Sequence, residues 1–365
     1  MLADMYSNIL PPILPALRQQ FGLNLFKASV LVVLLLLSSN WFQVLAGHLR
    51  SDKQDRWFMY LGLVLAAVIS AIGLVPPGTH AMWSMAGLTI LAGAGIAMVH
   101  PDALRSVHRL SRIPGATSTG IFMASGFVGY AIAGWASTAL VSRWGLKALS
   151  VLGVLPVLGI LALTWIRARP ALEAVQKDEG MHQAGPSFWD VMAMAIPAAI
   201  ATTVFGTLLP TRLVDELGFG LRFGGYSAAV YGTGGAIGSV IWGIVARRIG
   251  DLPAAVIALA LVMPLTGLYL FLMGKPAAIA ILFLVGFFAF ASYILLVTVA
   301  GTARGSSLSM RMAWVVGGSW GISHLALLGL AMIADRYGTL PVMAGSPIGY
   351  LAATAFGISI LRRHR

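Results

Sequence analysis

The sequence predicts an all-α membrane protein of twelve transmembrane helices in two pseudo-symmetric six-helix halves. Composition, the spacing of apolar runs and an internal repeat each point there. Of 365 residues, 58% are hydrophobic and only 10% are Lys, Arg, Asp or Glu, whereas a soluble domain carries about 25% charged residues. So few charges cannot cover the surface of a soluble protein this apolar, and the formal net charge of +12 therefore does not argue for nucleic acid. Forty-two Gly among long Leu, Val, Ala and Ile runs suit close-packed transmembrane helices. The absence of Cys removes disulfides, thiolate metal sites and thiol catalysis, and leaves the redox compartment undecided.

A spanning helix needs about 20 mostly apolar residues to cross about 30 Å of hydrocarbon. Breaks in the apolar pattern delimit twelve such segments: 1–17, 26–48, 57–75, 81–101, 115–141, 146–166, 188–210, 224–246, 252–273, 276–299, 310–334 and 340–361. The breaks are short and carry turn chemistry, as in Pro76-Pro77-Gly78 and Gly274-Lys275-Pro276. The one long polar stretch, 167–187, follows span six. It divides the chain into an N-terminal half (1–166), a central loop (167–187) and a C-terminal half (188–365).

The first span is the weakest of the twelve, being short and containing Asp4, Tyr6, Ser7 and Asn8. It has neither the charged n-region nor the cleavage site of a signal peptide. A start codon placed too late, or a clipped first helix, fits better. Sixteen Lys and Arg fall on the side of the central loop and C-terminus, against eight on the other. The positive-inside rule then predicts that both termini and the central loop are cytoplasmic.

The halves echo each other. Leu14-Pro15 followed by Phe21-Gly22-Leu23 corresponds to Leu209-Pro210 followed by Leu217-Gly218-Phe219. Gly47, ahead of the basic loop Arg50 to Arg56, corresponds to Gly243 ahead of Arg247-Arg248-Ile249-Gly250-Asp251. Gly126-x-x-Gly129 in span five pairs with Gly318-x-x-Gly321 in span eleven. Parallel six-helix halves around a midplane cavity are the architecture of many secondary transporters.

These residues resemble the major facilitator superfamily. Gly243-x-x-Ala246-Arg247-Arg248-x-Gly250 is similar to its loop motif Gly-x-x-x-Asp-Arg-x-Gly, with Arg247 where Asp is usual. The first-half copy from Gly47 keeps its acid as Asp52, one place late. Other matches resemble the fosmidomycin-resistance branch of bacterial drug exporters. They are Leu2-Ala3-Asp4-Met5, Gly93-x-Gly95 followed by His100-Pro101-Asp102-x-x-Arg105, the span-five pattern Ile121-Phe122…Gly126-x-x-Gly129, and Gly329 to Asp335. The resemblance implies proton-coupled efflux of small molecules or drugs across the bacterial inner membrane by alternating access. It also implies a monomer in a lipid bilayer, with a small molecule and a proton as its partners and no cofactor.

Ionisable groups at membrane depth are costly and therefore default to functional candidates. Asp4 is the sharpest, either as a carboxyl carrying the coupling proton or as a helix cap. His100, Asp102 and Arg105 form either a charge latch that breaks on protonation or an interfacial salt bridge; Asp102 and Arg105 can meet across one helical turn. His324 in span eleven, with Ser319, Trp320 and Ser323 nearby, is either a cavity residue or a hydrogen-bonded core histidine. Asn40, Trp41 and Gln43 in span two and Arg212 in span seven are further cavity candidates, Arg212 with the alternative of snorkelling. Gly126, Gly129, Gly318 and Gly321 fit helix packing or gating. In drug–proton antiporters of the superfamily a glycine-rich helix five ends in Gly-Pro, whereas Trp135 follows Gly134 here.

No Walker-type phosphate loop, metal-ligand spacing or nucleophile elbow occurs. Gly232-x-Gly234-Gly235 lies inside an apolar span and not after a strand, so a dinucleotide site is not expected. The chain thus reads as a non-enzymatic secondary transporter. Two alternatives stay open: an importer or exchanger of organic anions or phosphonates using Arg105 and Arg212, and a transporter-like sensor or assembly partner.

Overall fold

A computed structural model describes residues 1–50, 56–108, 115–166, 185–305 and 308–363. In chain order the helices are α1 (Leu2–Ser7), α2 (Leu10–Phe21), α3 (Leu25–Arg50), α4 (Trp57–Ala66, continued as a 3-10 helix over Ala67–Leu74), α5 (Ala81–His108) and α6 (Gly115–Trp144). Then come α7 (Leu155–Trp165, preceded by a 3-10 helix over Leu146–Val154), α8 (Phe188–Thr211, ending in a π turn over Arg212–Glu216), α9 (Leu221–Ile249), α10 (Asp251–Leu272) and α11 (Ala278–Thr302). The chain closes with α12 (Leu308–Met312, running through a π turn at Ala313–Gly318), α13 (Ser319–Tyr337), α14 (Thr339–Met343) and α15 (Gly345–Arg363).

Eleven helical stretches among the described residues are long and apolar enough to cross a membrane, and they coincide with predicted spans two to twelve. The first predicted span differs: it is broken into α1 and α2, which together reach Phe21. The cause is Pro11-Pro12, since neither residue has an N–H to return to the carbonyls of Ser7 and Asn8. Side chains take over at the break, where Ser7 Oγ and Asn8 Nδ2 each donate to the Asp4 carbonyl at 2.8 Å. Tyr6, fully buried, anchors α1 by donating its hydroxyl to the Leu152 carbonyl at 2.6 Å.

Contacts group the chain into two units. The first comprises Met1–Ala174 with Pro210–Ala229, and the second Val175–Leu209 with Val230–Arg365. In the first unit α3 and α4 both pack on α5, and α1 packs on α6. Gly93 and Gly95 make the first of these contacts possible. They stand two residues apart and so point to opposite helix faces. A Cβ on Gly93 would lie 2.4 Å from the Leu35 carbonyl of α3, and one on Gly95 would lie 2.3 Å from the Ala66 nitrogen of α4.

In the second unit α10 packs on α11 and α15. The glycine run of α9 serves the same purpose there, because a Cβ on Gly234 would lie 2.2 Å from the Phe283 carbonyl of α11. Those glycines are helix-packing residues. The buried Arg311 donates to the carbonyls of Ala300 and Gly301 at 2.8 and 3.0 Å. Its cation therefore caps the negative end of α11.

Candidate functional site

The first unit gathers four of the sequence candidates in one place. Asp4 on α1 and His100 on α5 lie 96 positions apart in sequence, yet Nε2 of the imidazole is 3.1 Å from Asp4 Oδ1. The Met1 amino nitrogen lies 3.1 Å from the other carboxylate oxygen. Gly126 and Gly129 on α6 make room for this carboxylate. A Cβ on Gly126 would touch the Asp4 carboxyl carbon at 3.4 Å, and one on Gly129 would stand 2.3 Å from the Met1 carbonyl and 3.2 Å from the Asp4 Cβ. The i, i+3 glycine spacing thus forms a cradle for α1.

The hydrogen-bond pattern fixes how many protons the pair needs. His100 Nδ1 lies 3.0 Å from the Ile96 carbonyl oxygen, which can only accept, so Nδ1 carries a hydrogen. The Nε2–Oδ1 contact then requires one further proton. It sits either on Nε2 opposite an ionised carboxylate or on the carboxyl opposite a neutral imidazole. Without that proton, the Nε2 lone pair faces a carboxylate and the contact becomes repulsive. The Asp4 and His100 side chains are 27% and 22% exposed.

Asp102 does not join the pair. It lies two residues beyond His100, on roughly the opposite helix face, and is 1% exposed. The side chain of Arg105, the surroundings of Gly47, and Asp52 lie outside the described residues, and with them the predicted Asp102–Arg105 latch. Asn40 and Gln43 are half-buried, and Trp41 is exposed. The described contacts do not bring these three to Asp4.

Arg212 is held by Glu216 across the π turn that ends α8. Sequence reasoning missed a second ion pair at this end: Arg18 of α2 binds Asp215. A signal existed, because Arg18 and Asp215 each follow the Leu-Pro dipeptide shared by the two repeats. In the second loop-motif copy, Arg247 and Arg248 are exposed in the last turn of α9. Gly250, with φ at +92°, makes the turn into α10, while Gly243 meets nothing that a Cβ would disturb.

In the second unit His324 is 5% exposed. It stacks on Trp320 with ring centroids 6.1 Å apart, and Trp320 meets Tyr293 edge-on at 5.1 Å. Beside it, Ser323 and Thr203 share a hydrogen bond of 2.8 Å. His324 Nδ1 is buried without a hydrogen-bond partner among the described residues. Gly318 packs against the Trp314 ring of its own helix, and Gly321 is half-buried. Asp335 lies exposed near the end of α13.

Comparison with known proteins bears on the family and the fold. A family model described as the Major Facilitator Superfamily matches residues 1–323. Among solved structures, a bacterial homologue of the human lysosomal transporter Spinster, inward-facing and occupied, is similar with a TM-score of 0.70 at 14% identity. The alignment covers 100% of this chain and 95% of that one. The unoccupied form gives a TM-score of 0.71 at 14% identity, with the same coverage. A mutant of the peptide transporter POT gives 0.68 at 12% identity, covering 100% of this chain and 93% of that one. At these identities the likeness shows the fold alone. No curated protein sequence matches. A family match over most of the chain, with eleven long apolar helices and no strand among the described residues, makes it a multi-pass integral membrane protein and a secondary transporter, not an enzyme: the chain belongs to the major facilitator superfamily.

Proposed function

We propose that the protein is a proton-coupled exporter of small molecules in a bacterial cytoplasmic membrane, with both termini on the cytoplasmic side. The observation that carries the coupling is the Asp4–His100 contact, which holds together only with one shared proton. Protonation closes the contact between α1 and α5, and proton loss opens it. Movement of α1 is thereby linked to the protonation state, as a two-state transporter requires. The drug-exporter direction rests on the resemblance of the Leu2 to Met5, His100 to Arg105 and span-five motifs.

The anion-importer reading is less favoured, because the Arg212 guanidinium it needs is engaged by Glu216. The test of the proposal is acidification or alkalinisation of everted vesicles on addition of a panel of toxic cations and neutral drugs. Substrate-driven proton movement is expected with the unaltered protein and absent with Asp4→Asn and with His100→Gln. Proton movement unchanged in both variants would remove the pair from the mechanism. Orientation is read separately by labelling single cysteines placed at the chain ends, which the natural lack of Cys makes clean.

A further inference from the structure

The geometry points to a second binding site, for a phosphate-class oxyanion, where the last turn of α6 meets the first turn of α9. We infer it from an open surface pocket of about 560 Å³ lined by Ser142, Arg143, Gly220, Leu221 and Arg222. The site lies at the end of α6 remote from Gly115, beyond Gly126 and Gly129, the residues that meet Asp4.

The two helices are locked together just below it. A Cβ on Gly225 would lie 1.9 Å from Thr138 Oγ1 and 2.3 Å from the Gly134 carbonyl, so here the backbones of α6 and α9 touch. This fixes the separation of the groups above. Arg222 Nε donates to Ser142 Oγ at 2.9 Å, which aims the guanidinium across the junction. That bond uses one of five N–H donors, and the terminal nitrogens keep the fork that matches a planar pair of oxyanion oxygens. Arg143 lies over the Trp144 ring at 5.1 Å to the centroid, a stacking that orients its own edge.

Among the described residues, neither guanidinium group is paired with an acid. The carboxylates that follow α8 are engaged elsewhere, Asp215 by Arg18 and Glu216 by Arg212. Lys147 adds a third exposed positive charge close in sequence. The 29-residue helix α9 begins at Leu221 within the pocket wall, and its positive end adds to the same field. An oxyanion seated between Arg143 and Arg222 would tie α6 to α9. Two sources supply that chemistry, a lipid headgroup phosphate and free phosphate.

The site is tested on the full-length protein by thermal unfolding. In detergent, inorganic phosphate titrated against chloride at equal ionic strength should raise the unfolding midpoint saturably. Nanodiscs containing phosphatidylglycerol, compared with phosphatidylcholine alone, should raise it if the headgroup is the occupant. A response in either arm supports the site and names its source. Each single variant, Arg143→Gln and Arg222→Gln, should raise the half-saturating concentration at least about 5-fold, while Arg222→Lys, which keeps the charge and loses the fork, should give an intermediate value. Arg336→Gln, in the second unit, should respond as the unaltered protein does. No saturable response in either arm, or an equal response in both glutamine variants, would overturn the assignment. Neither result bears on proton coupling, so this test and that of the transport reading fail independently.

Discussion

The two sequence repeats carry different chemistry at corresponding places. The shared Leu-Pro dipeptides align Asp4 with Ala199, which is buried in the unbroken helix α8. The same alignment sets Pro11-Pro12 against Gly206-Thr207, so only the first repeat has the prolines that split its opening helix. Gly126 and Gly129 cradle a carboxylate, whereas their partners Gly318 and Gly321 lie on the helix that carries His324 against Trp320 and Tyr293. Helix α11 contains no Asp, Glu, His, Lys or Arg. On the proposed function, the first repeat holds the coupling proton between α1 and α5, while the second presents aromatic rings and, among the described residues, the imidazole of His324. That reading divides ion and substrate between the two repeats, and the division is open to experiment.

The largest effect is expected at the carboxylate. Asp4→Asn should reduce substrate-driven proton movement to the level of vesicles without the protein, and the double change Asp4→Asn/Ala199→Asp should not restore it. Restoration would mean that the repeats are interchangeable. Next comes the cradle. Gly129→Ala must displace backbone atoms of α1 and should cost about 1–3 kcal/mol, read as a lower unfolding midpoint. Gly126→Ala, whose added carbon would make an ordinary contact, should stay within about 0.5 kcal/mol. Equal costs would show that the cradle does not shape the site.

His324→Phe keeps the stacking on Trp320 and removes a buried nitrogen that has no partner among the described residues. Since such a group costs about 1–3 kcal/mol, the variant should unfold at a higher temperature while transport slows. A higher midpoint with full transport would make His324 a packing residue. Among the changes expected to lower stability the smallest is Tyr6→Phe, which gives up the bond to Leu152 at a cost of about 1 kcal/mol and leaves the proton contact in place.

Much of this was legible in the sequence because membrane helices announce themselves by length and apolarity. Spans two to twelve needed no tertiary information. That Asp4, His100 and the span-five glycines stand out as candidates was also legible, since charge and small residues are conspicuous in an apolar chain. That Asp4 meets His100 and not Asp102 was not legible. Residues two apart on a helix face opposite ways, and which face meets α1 is decided by packing of α3 and α4 on Gly93 and Gly95. The Arg18–Asp215 pair and the arginine pocket are harder to read for a different reason: they join segments 197 and 80 positions apart, across which periodicity carries no signal, and only the shared Leu-Pro dipeptide hints at the first.

The split opening segment has a consequence for how the protein enters its membrane. Six residues of α1 rise about 9 Å and twelve of α2 about 18 Å, so neither alone crosses about 30 Å of hydrocarbon. Asp4 and the proline pair add to the cost of insertion. The groups that receive this segment lie far downstream: His100 is 96 positions from Asp4, and Leu152 is 146 from Tyr6. The translocon therefore meets a segment whose lodging has not yet been synthesised, and α1 should be among the last elements to settle. Nascent chains arrested before residue 100 should leave a reporter at position 4 open to aqueous reagents, and chains extended past residue 160 should protect it.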